Sequence, residues 1–305
     1  MIIHIHLIFG SFFRVIKQEK IRTSFLFQCI TFVRALLLIV PFDLLTNAVS
    51  TKLCFKIRPE LKVFPLFFQH FFYIVKPVLI GTGSTNTREV IELSSHAFHH
   101  DADGAVVINP YYWNLSEENL YQHFHEVAKT VDGPILLYNF PTLTRQNLSP
   151  GLVLRLVEDH DNIVGIKETI DSTAQIRDMI LTVKAKYPNF SVLAGYDDHL
   201  FNTLALGGDG AISASVNFAP KFSVDLYHAF RAGDYKTAIE LHKKLSKMPL
   251  LYQLELPFIN VIKEATKLCG IDISTYVQPP ARSITKEKRE QIKSILQQVG
   301  LIEQT

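Results

Sequence analysis

NIVGIKET (residues 162–169) is the stretch whose reading decides the fold. Its apolar residues Ile163, Val164 and Ile166 occupy both parities before Lys167 and Glu168 close the run. Strict alternation marks a strand with one wet face, whereas a short, nearly continuous apolar run marks a strand buried on both faces in a parallel sheet. The same pattern recurs on either side. PVLIGTG (77–83), GAVVINP (104–110) and PILLYNFP (134–141) precede it, and SVLAGYDD (191–198) and DGAISAS (209–215) follow. Helical patterns separate these runs, near residues 87–99, from Ser116 onward, and near 149–159, 172–187, 199–206 and 219–232. Ser116, with Glu117 and Glu118 behind it, reads as an N-cap followed by an acidic first turn. Six βα units without a reversal predict an α/β chain built as a (β/α)8 TIM barrel rather than a doubly wound sheet, provided two more units lie upstream.

Working outward, the chain divides into three parts. Residues 76–232 hold the partial barrel, strands three to eight, and residues 233–305 carry helical patterns near 235–248, 257–268 and 286–299 with no strands between them. They predict a small C-terminal helical domain. Residues 1–75 are anomalous: Phe is dense, Gly occurs once, at Gly10, and the acids are Glu19, Asp43 and Glu60. The two upstream βα units would fall there, so as written they are absent or unreadable. Three readings compete for this segment. A membrane or targeting element is opposed by Arg34, which interrupts the longest apolar run below the ~18 residues a spanning helix needs, and by a start without Lys or Arg. Folded barrel sequence is opposed by the missing glycine-punctuated rhythm. The preferred reading is a displaced reading frame, since A-T-rich DNA read out of frame yields chains rich in Phe, Leu, Ile and Lys.

Bulk properties exclude several function classes. A net charge of +2 gives no basic field for nucleic acid. Cys29, Cys54 and Cys269 are odd in number and far apart, against a disulfide framework or a cysteine zinc site, and a reducing, cytoplasmic compartment is expected. His96, His99 and His100, and likewise His123 and His125, have no acidic or cysteine partner beside them, so no metal is expected. GTGSTN (81–86) lacks the third glycine and downstream acid of a dinucleotide fingerprint, and no cofactor is expected.

Chemistry in a parallel barrel collects where strands end. PILLYNFP ends with Tyr138 and Asn139, and NIVGIKET with Lys167 and Glu168. Neighbouring strands lie about 4.8 Å apart, so Tyr138 and Lys167 would open onto one pocket. Desolvation lowers a lysine pKa, and a neutral amine is what attack on a carbonyl requires. The alternative is a lysine that reaches the rim or pairs with Glu168.

The strings GTGSTNTRE, INPYYW, YNFP, GIKETIDS, GYDDHLF and GGDGAISASVNFAP, in that order, resemble the dihydrodipicolinate synthase/N-acetylneuraminate lyase family. Within it they are most similar to bacterial 2-keto-3-deoxygluconate and 2-dehydro-3-deoxy-D-pentonate aldolases. The resemblance runs through nearly all of residues 78–305. It implies a class I aldolase in which Lys167 forms a Schiff base with a 2-oxo acid and Tyr138 gives and takes protons. A 2-keto-3-deoxy sugar acid would yield pyruvate and an aldehyde. It also implies substrate-binding positions at Tyr112, which in the family supports the catalytic tyrosine, often from the neighbouring subunit, and at Gly195, Asp197 and Ile212. A small-molecule partner, no membrane association, and a homotetramer if the full barrel is present complete the expectation.

Three departures qualify it. Leu143 stands where the synthases carry an arginine that holds a substrate carboxylate, which favours a polyhydroxylated substrate over the 4-hydroxy-tetrahydrodipicolinate synthase or hydro-lyase alternative. Arg145 stands where the sugar-acid aldolases usually show glycine. The family's glycine-rich carboxylate loop, G-[ST]-[GT]-G-E, is missing before Val75. A barrel short of two strands exposes its edges. This polypeptide is therefore expected to be weakly active, or a truncated and inactive family member.

Overall fold

The computed structural model describes residues 77–303. The three readings of residues 1–75 and the two expected upstream βα units lie outside the described residues.

Six strands follow one another: β1 (Leu79–Gly81), β2 (Gly104–Ile108), β3 (Ile135–Asn139), β4 (Ile163–Glu168), β5 (Ser191–Ala194) and β6 (Gly210–Ala211). They form one parallel sheet in sequential order, each pairing with its sequence neighbours. That is the order of a TIM barrel, as the unbroken βα alternation predicts. Among the described residues β1 and β6 each have a single neighbouring strand.

Local chemistry starts the helices. In α1 (Thr87–His99) the Asn86 side chain accepts from the backbone N–H of Arg88, and in α2 (Glu117–Thr130) Ser116 accepts from Asn119 at 3.2 Å. A short turn, α3 (Pro141–Thr144), leads to α4 (Pro150–Asp159), where Ser149 caps Leu152 and Pro150 occupies the first turn. Ser172 caps α5 (Thr173–Met179). Each cap satisfies a backbone donor that the helix itself cannot pair, worth about 1 kcal/mol. The helix pattern expected over 172–187 is interrupted: Ile180–Lys184 runs on as a π-helix, and the Lys184 ammonium there donates to the carbonyls of Pro188 and Phe190 and to Asp209. Then come α6 (Leu200–Ala205) and α7 (Pro220–Arg231). The strand expected over 209–215 shortens to the two residues of β6, and residues 214–217 coil into a 3-10 turn.

Alternation along the strands sorts two layers. Ala105, Val107, Ile135, Leu137, Ile166 and Val192 face the helices, where Phe124, Leu152, Leu156, Ile176 and Met179 meet them in one buried cluster. Val106, Leu136, Leu193 and Ile212 form a separate cluster on the inner face, with Leu79 and Tyr138 against it. Residues two apart share a face, so Lys167 belongs with Gly165 on the inner side and Glu168 with Ile166 on the outer. A Cβ on Gly165 would sit 2.6 Å from the Ser191 carbonyl and 2.8 Å from Leu136, so only glycine lets the strands close beneath Lys167.

The C-terminal helices are α8 (Tyr235–Leu245), α9 (Pro249–Tyr252), α10 (Ile259–Leu268) and α11 (Lys286–Gln298). Their apolar residues Leu245, Met248, Leu251, Val261, Ile292 and Leu296 share one buried cluster with Leu200, Leu204 and Leu226 of α6 and α7. Among the described residues no helix is long and apolar enough to cross a membrane.

Candidate active site

Lys167 lies opposite Tyr138 in the register of β3 and β4. Its side chain crosses the intervening space so that Nζ stands 4.2 Å from the Tyr138 ring centroid. The lysine is 6% exposed. Burial pulls its pKa from 10.5 down to about 8, against an upward pull from the Asp197 carboxylate. Burial pushes the Tyr138 phenol up to about 12, while the Thr169 hydroxyl beside it pulls the other way. Phe140 stacks on the Tyr138 ring at 5.9 Å.

Glu168 does not pair with Lys167. It points to the opposite face, fully buried, and accepts from Asn139 Nδ2 at 2.7 Å and from Gln175 Nε2 at 3.4 Å. Burial lifts its carboxyl to about 7 despite those donors. Asn139 also donates to Asn147 Oδ1 and accepts from the Leu148 N–H. The residues that follow Tyr138 and Lys167 thus tie the ends of β3 and β4 together from behind, which restricts where the two inner side chains can go.

After β5 the chain turns tightly. The Gly195 N–H donates to the Glu168 carbonyl at 2.7 Å, and a Cβ at Gly195 would fall 1.8 Å from Thr169 Oγ1. Asp197 opens a 3-10 turn (Asp197–His199) and has no exposed surface. Its carboxylate accepts from the Ser215 hydroxyl on one oxygen and from the Tyr252 hydroxyl of α9 on the other. Burial raises its pKa, and Ser213, Ser215 and Tyr252 hold it down. Ile212 is buried in the inner cluster, and its N–H donates to the Ala194 carbonyl at 2.8 Å.

Lys167, Tyr138, Gly195, Asp197 and Ile212 therefore gather at one end of the sheet. Tyr112 stands apart: it is 87% exposed, adopts φ 131°, and sets its ring edge-to-face against Trp113 at 5.5 Å. Leu143 is exposed, and Arg145 is exposed with φ 61° and makes no ion pair among the described residues. That left-handed backbone is the conformation glycine adopts without cost. Sequence reasoning passed over Thr169, although it lies two residues beyond Lys167 and so shares its parity. It also passed over Ser213, Ser215 and Tyr252, which no spacing rule connects to the lysine.

The remaining polar candidates are engaged elsewhere. Thr82 hydrogen-bonds to Ser94 and Ser84 donates to Glu89, so the GTGSTN turn is occupied by its own helix. His123 is buried with Nδ1 at 2.9 Å from Thr87 Oγ1, and His125 lies 2.9 Å from His160. Among the described residues no group of three or more His, Cys, Asp or Glu is placed to hold a metal ion.

Comparison with known proteins agrees over the region that carries this geometry. The sequence profile of the "Dihydrodipicolinate synthetase family" matches residues 74–299. The chain is 58% identical over 225 residues to Escherichia coli K12 YagE, covering 74% of each chain, and 49% identical over 226 residues to E. coli K12 YjhH, covering 74% of this chain and 75% of that one. Those proteins carry the provisional names 2-dehydro-3-deoxy-D-gluconate aldolase and 2-dehydro-3-deoxy-D-pentonate aldolase. The crystal structure of YagE in complex with pyruvate superposes with TM-score 0.73 over 74% of this chain and 76% of that one, at 58% identity. The dihydrodipicolinate synthase of Thermotoga maritima superposes with TM-score 0.71 at 32% identity, covering 74% of this chain and 76% of that one.

Proposed function

Because the chain belongs to the dihydrodipicolinate synthetase family, we propose that it is a carbon–carbon lyase that cleaves a 2-keto-3-deoxy sugar acid by way of a Schiff base on Lys167. The observation that carries this reading is the buried Lys167 ammonium set against the Tyr138 ring, its pKa brought to about 8 by burial. A neutral amine there adds to the C2 carbonyl and expels water, leaving an iminium that accepts the electrons of the breaking C3–C4 bond. Tyr138, having given its phenol proton to the departing water, takes the proton of the C4 hydroxyl as the aldehyde departs, and that proton returns to C3 of the resulting enamine before water releases pyruvate. The aldehyde is glyceraldehyde or glycolaldehyde, according to the length of the acid.

The names of YagE and YjhH and the pyruvate in the YagE crystal structure support a pyruvate-forming aldolase. Leu143 favours a polyhydroxylated substrate over the aspartate semialdehyde of a synthase, because an exposed leucine cannot clamp a carboxylate. Gly195 and Ile212 are assigned to the substrate wall, Asp197 to the same wall through its charge, and Tyr112 to support of Tyr138 across a subunit boundary in a homotetramer.

A second reading, a family member without activity, is favoured by the missing G-[ST]-[GT]-G-E string before Val75. One experiment separates them. Incubation with pyruvate and borohydride should add the mass of a reduced pyruvyl group to the Lys167 peptide. No mass gain there would sink the catalytic reading. Pyruvate release from 2-keto-3-deoxygluconate against the deoxypentonate then ranks the substrates.

A further inference from the structure

Asp197 follows the tight turn in which Gly195 donates to the Glu168 carbonyl and packs on Thr169, so it sits at the end of the sheet where Lys167 stands, and its charge pulls the lysine pKa upward. It is sealed from solvent. Such a group keeps its charge only if protein donors replace the water it has lost. Besides Ser213, two hydroxyls reach it from separate parts of the chain. Ser215 comes from the 3-10 turn after β6, and Tyr252 from α9, beyond the last barrel helix. Tyr252 is held in turn by Phe258, its ring 5.3 Å away, and by the apolar cluster that joins the C-terminal helices to α6 and α7. Among the described residues the Tyr252 hydroxyl has no other acceptor. This half-buried hydroxyl finds its partner in that carboxylate.

We propose that Tyr252, together with Ser215, is a positioning residue for the Schiff-base site: the two hydroxyls hold the buried Asp197 carboxylate ionised and fixed, so that its charge stabilises the cation formed at Lys167. This rests on the reading of Lys167 as the nucleophile. The same charge has two effects. It favours the resting ammonium, which slows attack, and it stabilises the iminium once the imine exists, keeping that nitrogen protonated and able to accept electrons. The C-terminal helices thus reach the reacting nitrogen through one phenol and one carboxylate.

The test reads the lysine directly. Trace acetylation of the full chain with acetic anhydride across a pH series, followed by mass spectrometry of the Lys167 peptide, gives the titration midpoint of the amine without any substrate. The wild-type midpoint is expected near pH 8. D197N should move it down, and Y252F and S215A should each move it the same way by about half a pH unit or more. The Y252F/D197N double variant should move it no further than D197N alone. Midpoints at the wild-type value in both Y252F and S215A overturn the proposal, whatever happens to the amount of folded protein. If Y252F does not fold, S215A decides by the same criterion. Failure of the parent reading looks different: the acetylation midpoints shift as expected, yet pyruvate and borohydride leave Lys167 unmodified.

Discussion

Lys167 and Tyr138 occupy the same step of the register between two adjacent parallel strands, and the lysine Nζ lies 4.2 Å from the centre of the tyrosine ring. The ring face presents negative quadrupole to an ammonium, and to an iminium at the same nitrogen. In the proposed mechanism Tyr138 meets the cation with its ring and the reacting hydroxyl with its phenol.

Removing the phenol alone should separate these two roles. In Tyr138→Phe the ring stays, so pyruvate should still be trapped on Lys167 by borohydride. Pyruvate release from the sugar acid should fall about 100-fold or more, the usual worth of a positioned acid/base. Loss of trapping as well as turnover would mean that the hydroxyl is needed before C–C cleavage.

The lysine should set the acid side of the rate profile. Its pKa of about 8 lies below the ordinary 10.5 because burial disfavours the ammonium. At pH 7 roughly a tenth of it is neutral, some ~300 times more than for an unshifted lysine. The rate of borohydride trapping at saturating pyruvate should therefore climb about tenfold per pH unit up to pH 8 and then flatten. A climb that continues to pH 10 would show that the amine is not desolvated.

Gly195 is required by a neighbour and not by its backbone angles. A Cβ there meets Thr169 Oγ1 at 1.8 Å and Thr169 Cβ at 2.6 Å. Gly195→Ala should cost about 1–3 kcal/mol by overpacking and displace the hydroxyl that borders Tyr138. Thr169→Ala on that background should restore part of the stability and no more, because the second clash remains. Chemical denaturation of the single and double variants measures the coupling.

Acid should weaken the fold through His123. Burial lowers its pKa from 6.5 to about 4, so the unfolded chain takes up a proton that the folded chain refuses. This contribution is complete above pH 6.5 and is lost as the pH falls toward 4, worth about 3 kcal/mol in total. Glu168 runs the other way. Its raised pKa of about 7 favours the fold below pH 4.5 and withdraws that support as the pH rises through 7. In His123→Asn the loss of stability between pH 6.5 and 4 should shrink, as read by urea unfolding at both ends of the range. An unchanged slope would place the titration elsewhere.

Much of this molecule was legible in the chain. Nearly continuous apolar runs marked the parallel strands, and Ser116, Ser149 and Ser172 marked helix starts that the structure places within a residue. Elements too short to show a period were not legible: α3, α9 and the turn at residues 214–217 escaped because four residues make barely one helical turn.

What the sequence offered by itself was the pair Tyr138 and Lys167 at the ends of neighbouring apolar runs, singled out by the family resemblance; the register between β3 and β4 sets them on one step. Parity would have found Thr169 as well. What only the tertiary structure decided was the environment that gives the pair its chemistry. Glu168 is next to Lys167 in the chain and turns away from it, whereas Tyr252, on a helix of another part of the fold, holds the carboxylate that acts on it. Strand parity is a local property carried by two residues. Electrostatic contact between buried groups depends on distance and on exclusion of water, and both exist only once the helices have closed over the site.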